Sequence, residues 1–234
     1  MREAMFGGLK VRVVGEKAGA EGPVVVLLHG FGAPGTDLVP LAGEIAAPAG
    51  TRWVFPEAPH LLPAALGGGV GRAWWMIDVM RFQLAALTGQ VAGLIREVPE
   101  GLAEAREQVI AMLAELEQDL GFRRESLVLG GFSQGAMLAC DVALHMDTPL
   151  AGLVLMSGSI VAEEVWAERM ERREDLPVLQ SHGRDDPLLP FAIAEQLRDR
   201  LVGAGMQVTW VPFDGGHGVA PIVLDAFSDF LGQL

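Results

Sequence analysis

Gly131-Phe132-Ser133-Gln134-Gly135 sets a serine between two glycines, each two residues away. The apolar run Leu127-Val128-Leu129 precedes it and Ala136-Met137-Leu138-Ala139-Cys140 follows, reading as a buried strand and the opening of a helix. A serine at such a junction forms a nucleophile elbow. The turn is so tight that side chains two residues to either side would collide, and glycine removes the offending Cβ atoms. The Ser133 hydroxyl is then held above a sheet, at the positive end of a helix. As five letters the pattern is common; its place between strand and helix gives it weight.

A serine hydroxyl is a poor nucleophile at neutral pH and needs a base to take its proton. Histidine suits the task and contributes roughly 10²–10⁴-fold when positioned. A carboxylate must then fix the histidine tautomer and stabilise the imidazolium that forms. The chain offers Ser133, then Asp185 or Asp186, then His217, an order that matches Ser…Asp…His. Gly216 and Gly218 flank His217 and permit a turn that swings its ring back towards the serine. The other histidines read as structural. His145 lies near a helix C-terminus, where it meets the dipole favourably. His29 and His182 each precede a glycine at a strand end and brace loops, and His60 shapes a loop in Pro56-Glu57-Ala58-Pro59-His60. Of the adjacent Asp185 and Asp186, one should face the site and the other solvent; the residues alone leave the choice open. Asp214 is too near His217 in sequence to orient the ring from behind and reads as a turn residue. An oxyanion formed in acyl transfer needs two backbone N–H donors. Gln134, the residue after the serine, supplies one. The loop His29-Gly30-Phe31-Gly32 supplies the other, assigned to Phe31. One such donor is worth about 10²–10³ in rate.

Short apolar runs must position these groups. Strands are expected at Leu9–Val14, Val24–Leu28, Trp53–Phe55, Leu127–Leu129, Leu153–Met156, Val178–Gln180 and Val208–Val211. Helical patterns alternate with them. The clearest puts Leu102, Ala105, Val109, Met112, Leu113, Leu116 and Leu120 on one face; others start at Pro190 and near Pro221. Strands separated by helices predict an α/β fold, with a mostly parallel sheet of about seven strands flanked by helices on both faces. Ligands bind beyond the carboxyl ends of such strands. Ser133, the Asp185-Asp186 pair, His217 and the His29–Gly32 loop all fall there.

Composition bounds the partners. At 234 residues the chain suits a single α/β domain over 1–234, with no internal repeat or linker dividing it. A formal net charge of −13 argues against nucleic acid or an anionic membrane as partner. The one cysteine, Cys140, excludes an intramolecular disulfide and reads as a buried structural thiol. No signal peptide or membrane-spanning run is apparent, so a cytoplasmic location without stable membrane insertion is expected.

Further motifs are Leu28-His29-Gly30-Phe31-Gly32, Pro56-Glu57-Ala58-Pro59, Ala73-Trp74-Trp75-Met76-Ile77-Asp78, Gly130-Gly131-Phe132-Ser133-Gln134-Gly135, His182-Gly183-Arg184-Asp185-Asp186-Pro187 with Pro190, and Gly216-His217. On these the chain resembles the phospholipase/carboxylesterase family of α/β-hydrolases, which includes the acyl-protein thioesterases. The resemblance spans nearly the whole chain. It implies an α/β-hydrolase fold and hydrolysis of small or lipid-like acyl esters or thioesters without metal or cofactor, often by a homodimer. The family pattern His-Gly-x-x-Asp-Pro-x-x-Pro places the catalytic carboxylate on Asp186, and the resemblance supports Phe31 and Gln134 as oxyanion donors. It also puts Trp74 and Trp75 near the substrate pocket, one lining it and the other packing. Two departures stand out. Gly135-Ala136 replaces a glycine pair, and the connection from Asp78 to Glu100 is long, with an apolar run from Phe82 to Ile95 that includes Leu84, Leu87, Val91 and Leu94. Residues 79–99 read either as a lid or acyl-chain groove, or as an extra helical segment packed on the core or a partner. The expected activity is that of a serine hydrolase working through an acyl-enzyme. The alternatives are a non-catalytic binding protein on the same fold and a lactone or peptide hydrolase with the same triad.

Overall fold

The computed structural model describes residues 1–15, 21–64, 69–78, 80–81, 84, 88 and 90–234. An eight-stranded sheet runs through it. Its strands are β1 (Arg2–Phe6), β2 (Leu9–Val14), β3 (Val24–Leu28), β4 (Arg52–Pro56), β7 (Leu127–Phe132), β8 (Gly152–Met156), β9 (Pro177–Gly183) and β10 (Gln207–Phe213), in the order β1-β2-β4-β3-β7-β8-β9-β10. β1 and β2 pair antiparallel, as do β2 and β4, and every other pairing in this sheet is parallel. The two short strands β5 (His60–Leu61) and β6 (Arg72–Ala73) form a separate antiparallel pair.

The sheet has one strand more than the apolar runs indicate. β1 is the addition: its inward and outward positions alternate, so Arg2 to Phe6 carries no continuous hydrophobic signal. Gly7-Gly8 closes the hairpin, with φ of +54° and +76° and Phe6 opposite Leu9. Two consecutive positive φ values make the turn that matches strand twist, and glycine adopts them without a steric penalty.

Both faces of the central strands are covered, which is why they are apolar throughout. Val24, Val26 and Leu28 of β3 point to one face, and Val25 and Leu27 to the other. Helix α1 (Leu102–Leu120) buries Leu102, Ala105, Val109, Met112, Leu113 and Leu116 on the first face, along the stripe expected from its period. Helix α2 (Gln134–His145) lies beneath it, buried from Gln134 to Leu144 and accordingly apolar around its circumference. Its one buried acid, Asp141, accepts hydrogen bonds from Arg106 of α1 (3.0 Å) and from the Trp166 indole of helix α3 (Glu163–Met170; 2.8 Å). Those donors satisfy a charge that would be costly to bury alone. Helix α4 (Phe191–Gly203) adds Leu197 and Leu201 to the same face. Helix α5 (Pro221–Gln233) covers the second with Val223, Phe227, Phe230 and Leu231.

The segment read from Phe82 to Ile95 divides. Phe82 and Leu87 lie outside the described residues, as does the Val91 side chain. Leu84 is exposed, whereas Leu94 and Ile95 are buried in the core. The chain there is tied to the start of α3, because the Ala162 and Glu163 N–H groups donate to the Glu97 and Ile95 carbonyls. Among the described residues no helix is long and apolar enough to cross a membrane.

Candidate active site

Ser133 stands between β7 and α2 with φ 53° and ψ −117°, a conformation that a non-glycine residue holds only when its surroundings dictate it. They do. The Ser133 N–H extends the ladder to the Met156 carbonyl of β8 at 2.9 Å, while its own carbonyl accepts from Ala136 and Met137 at the head of α2. Helix and neighbouring strand meet so closely that a Cβ on Gly135 would lie 1.9 Å from the Leu28 carbonyl oxygen. One on Gly131 would lie 2.5 Å from the same oxygen.

His217 follows β10 and folds back over the elbow, its ring 4.9 Å from that of Phe132. Nε2 is 2.8 Å from Ser133 Oγ and Nδ1 is 2.7 Å from Asp186 Oδ2. An ionised carboxylate can only accept, so Nδ1 carries the proton and Nε2 is left to accept from the serine hydroxyl. The loop that carries His217 is anchored by the buried Ser157, whose hydroxyl donates to the Gly218 carbonyl at 2.9 Å. Of the two adjacent aspartates, Asp186 points inward and Asp185 is exposed to solvent. Asp214 is also exposed and forms a surface ion pair with Arg184.

Asp186 is unusually well served with donors. Oδ1 accepts from the Leu188 and Leu189 N–H groups at 2.8 and 2.9 Å. Oδ2 faces His217 and lies 3.2 Å from His182 Nε2. Burial by itself would raise this carboxyl, but the hydrogen bonds from His182, His217 and Leu189 hold it well below the usual carboxylate range.

The cleft above Ser133 encloses about 200 Å³, and Phe31, Ile77, Phe132, Met137, Leu188 and Leu189 make its walls mainly apolar. Phe31 and Gln134 both border it. Neither N–H donates to a backbone carbonyl outside regular structure among the described residues, and the first turn of α2 has no side-chain cap. These two amides, one at a helix N-terminus, can meet a developing negative charge. The Phe31 loop is fixed from several sides. The His29 ring accepts from the Ala58 N–H at 3.1 Å and donates through Nδ1 to the Gly30 carbonyl at 2.9 Å, so it is neutral; burial lowers its basicity. Arg72 exchanges main-chain hydrogen bonds with Gly32 and Ala33 and pairs with Glu57, which also holds Arg12.

The model of the phospholipase/carboxylesterase family matches residues 9–234. The chain belongs to that family. It is a serine hydrolase of carboxylic esters or thioesters. It is 29% identical over 185 residues to acyl-protein thioesterase 1 of Gibberella zeae, covering 77% of this chain and 75% of that one. With acyl-protein thioesterase 1 of Kluyveromyces lactis the identity is 30% over 183 residues, 76% of this chain and 75% of the relative. Among solved structures it is similar to esterase PE8, with 31% identity, a TM-score of 0.78 and coverage of 96% and 98% of the two chains. A carboxylesterase from Mesorhizobium loti shares the fold at a TM-score of 0.76 and 20% identity, over 99% of each chain.

In this family member the structure brings Ser133, Asp186, His217, Phe31 and Gln134 together and leaves the two tryptophans outside the cleft. Trp74 is buried, with its indole N–H donating to the His29 carbonyl at 2.8 Å. Trp75 lines a neighbouring cavity of about 360 Å³. Both are held by the Gln134 side chain, which accepts from the Trp74 N–H (3.0 Å) and donates to the Trp75 carbonyl (2.8 Å). His145 bonds the Asp141 carbonyl within α2, and Cys140 is buried and its thiol correspondingly harder to ionise. Sequence reasoning did not find the clamp by Gln134 or the Arg12–Glu57–Arg72 bridge. The only signal for the latter was a charged residue, Glu57, inside a proline-bounded motif.

Proposed function

We propose that Ser133 is the nucleophile, His217 the general base and acid, Asp186 the group that orients His217, and Phe31 and Gln134 the oxyanion donors. The observation that carries the reading is the His217 ring, bridging Ser133 Oγ at 2.8 Å and Asp186 Oδ2 at 2.7 Å. As Ser133 Oγ attacks the acyl carbon, His217 Nε2 takes its proton and the imidazolium is stabilised by Asp186. The carbonyl oxygen, now negative, accepts from the two backbone N–H groups. Collapse breaks the bond to the leaving alcohol or thiol, which departs with the proton from Nε2. Water then repeats the sequence on the acyl-enzyme and frees Ser133.

The apolar cleft suits an uncharged acyl group, and the net charge of −13 disfavours anionic partners. The relatives named acyl-protein thioesterase support thioesters among the substrates, and esterase PE8 supports oxygen esters. A cytoplasmic location without stable membrane insertion is proposed; a chain with the single cysteine Cys140 is compatible with a reducing compartment, and among the described residues no helix is long and apolar enough to cross a membrane. The family resemblance adds a homodimer, which sedimentation would test. The decisive experiment for the activity is a panel of p-nitrophenyl esters from short to long acyl chains beside an acyl-thioester. Ser133→Ala should abolish turnover of all of them; substantial turnover in that variant would remove the reading.

A further inference from the structure

We propose that His182 is a positioning residue for Asp186, a second imidazole that holds the carboxylate in line with His217. The inference rests on the assignment of Asp186 as the orienting acid. His182 is the penultimate residue of β9, four residues before Asp186, and is buried. Its Nε2 lies 2.8 Å from the Leu189 carbonyl oxygen and 3.2 Å from Asp186 Oδ2. Both neighbours are acceptors, so Nε2 must carry the proton and share it between them.

The two oxygens of Asp186 are thereby divided. The Leu188 and Leu189 amides fix Oδ1, and the two imidazoles of His182 and His217 converge on Oδ2. His182 thus approaches the same oxygen that orients the base. The other nitrogen, Nδ1, is buried with no hydrogen-bond partner among the described residues. A residue chosen only to fill this space would carry no such unpaired nitrogen, whereas a donor placed between the Leu189 carbonyl and Asp186 accounts for it. The Phe191 ring, 6.2 Å from the imidazole, holds its orientation from α4. The bland alternative is that His182 serves only to tether the Leu189 carbonyl to β9.

The test compares His182→Leu with His182→Gln, whose side-chain amide can restore a donor at the Nε2 position, and includes Asp186→Asn. Each variant is assayed on a p-nitrophenyl ester well below its own melting temperature, with sites counted by exhaustive fluorophosphonate labelling. Positioning predicts a kcat loss of about 10-fold per labelled site in His182→Leu, KM within about twofold, and recovery of most of that loss in His182→Gln. A wild-type kcat in His182→Leu, or equal losses in both variants, overturns the proposal while leaving the triad intact. If Asp186→Asn itself turns over normally, the triad assignment fails instead.

Discussion

Gly135 and Leu28 are pressed together: a β-carbon on Gly135 would stand 1.9 Å from the Leu28 carbonyl oxygen. The contact joins the first turn of α2 to the end of β3, and it keeps Ser133 in its strained conformation. A methyl group there must push helix and strand apart, and the neighbour is backbone that cannot rotate away. Gly135→Ala should therefore cost at least about 2 kcal/mol, a fall of about 4–8 °C in melting temperature for a chain of this size. Thermal denaturation followed by circular dichroism measures it, and a melting temperature within 2 °C of wild type would show that the elbow tolerates the methyl group.

Asp186 and Asp185 are neighbours with opposite fates, one buried under His217 and the other in solvent. In Asp186→Asn the amide oxygen is held by the Leu188 and Leu189 N–H groups, which turns the amide NH₂ towards His217. The ring must then accept at Nδ1 and carry its proton on Nε2, where it cannot take one from serine. The expected loss in kcat is about 10³–10⁴-fold, against less than about twofold for Asp185→Asn. Steady-state kinetics on one ester separates them, and equal losses would contradict the assignment.

The depressed carboxyl of Asp186 also links stability to pH. Its folded-state value lies below that of the unfolded chain, about 3.9, so between the two the unfolded chain binds more protons and stability rises with pH. The contribution is complete above the unfolded value and is lost as pH falls through the folded one. The melting-temperature difference between wild type and Asp186→Asn should accordingly shrink as pH drops from 6 towards 2. A difference that stays constant would show that Asp186 is not held ionised by its donors.

The role proposed for Gln134 uses its backbone N–H, whereas its side chain holds the Trp74–Trp75 segment. Gln134→Ala keeps the first and deletes the second, leaving a buried N–H and C=O without partners at about 1–3 kcal/mol each. The variant should lose about 2–6 kcal/mol in urea denaturation. Its kcat should fall less than about 10-fold, since removing a true oxyanion donor costs about 10²–10³. A larger fall in kcat at unchanged stability would mean that the side chain itself meets the substrate.

Ser133, His217 and the parallel strands were legible because each leaves a local mark: glycines around a serine, glycines around a histidine, unbroken apolar runs between amphipathic ones. β1 left almost none. Arg2 and Glu3 belong to a half-exposed edge, and only Gly7-Gly8 signalled the hairpin. Asp186 and Asp185 are indistinguishable as residue types, and family resemblance separated them before the orientation of the loop after β9 did. Trp74 illustrates what stays hidden. Its indole partner, the His29 carbonyl, lies 45 residues away and is brought there by the sheet. No spacing in the chain reports that a large aromatic side chain braces the His29–Gly32 loop rather than lining the cleft.

The central claim, that the Ser133 hydroxyl is activated by His217, is tested most directly by mapping the adduct of a fluorophosphonate probe by peptide mass spectrometry. The adduct should fall on Ser133 in the wild-type enzyme, slow sharply in His217→Ala and vanish in Ser133→Ala. An adduct on any other residue, or undiminished labelling of Ser133→Ala, would contradict it.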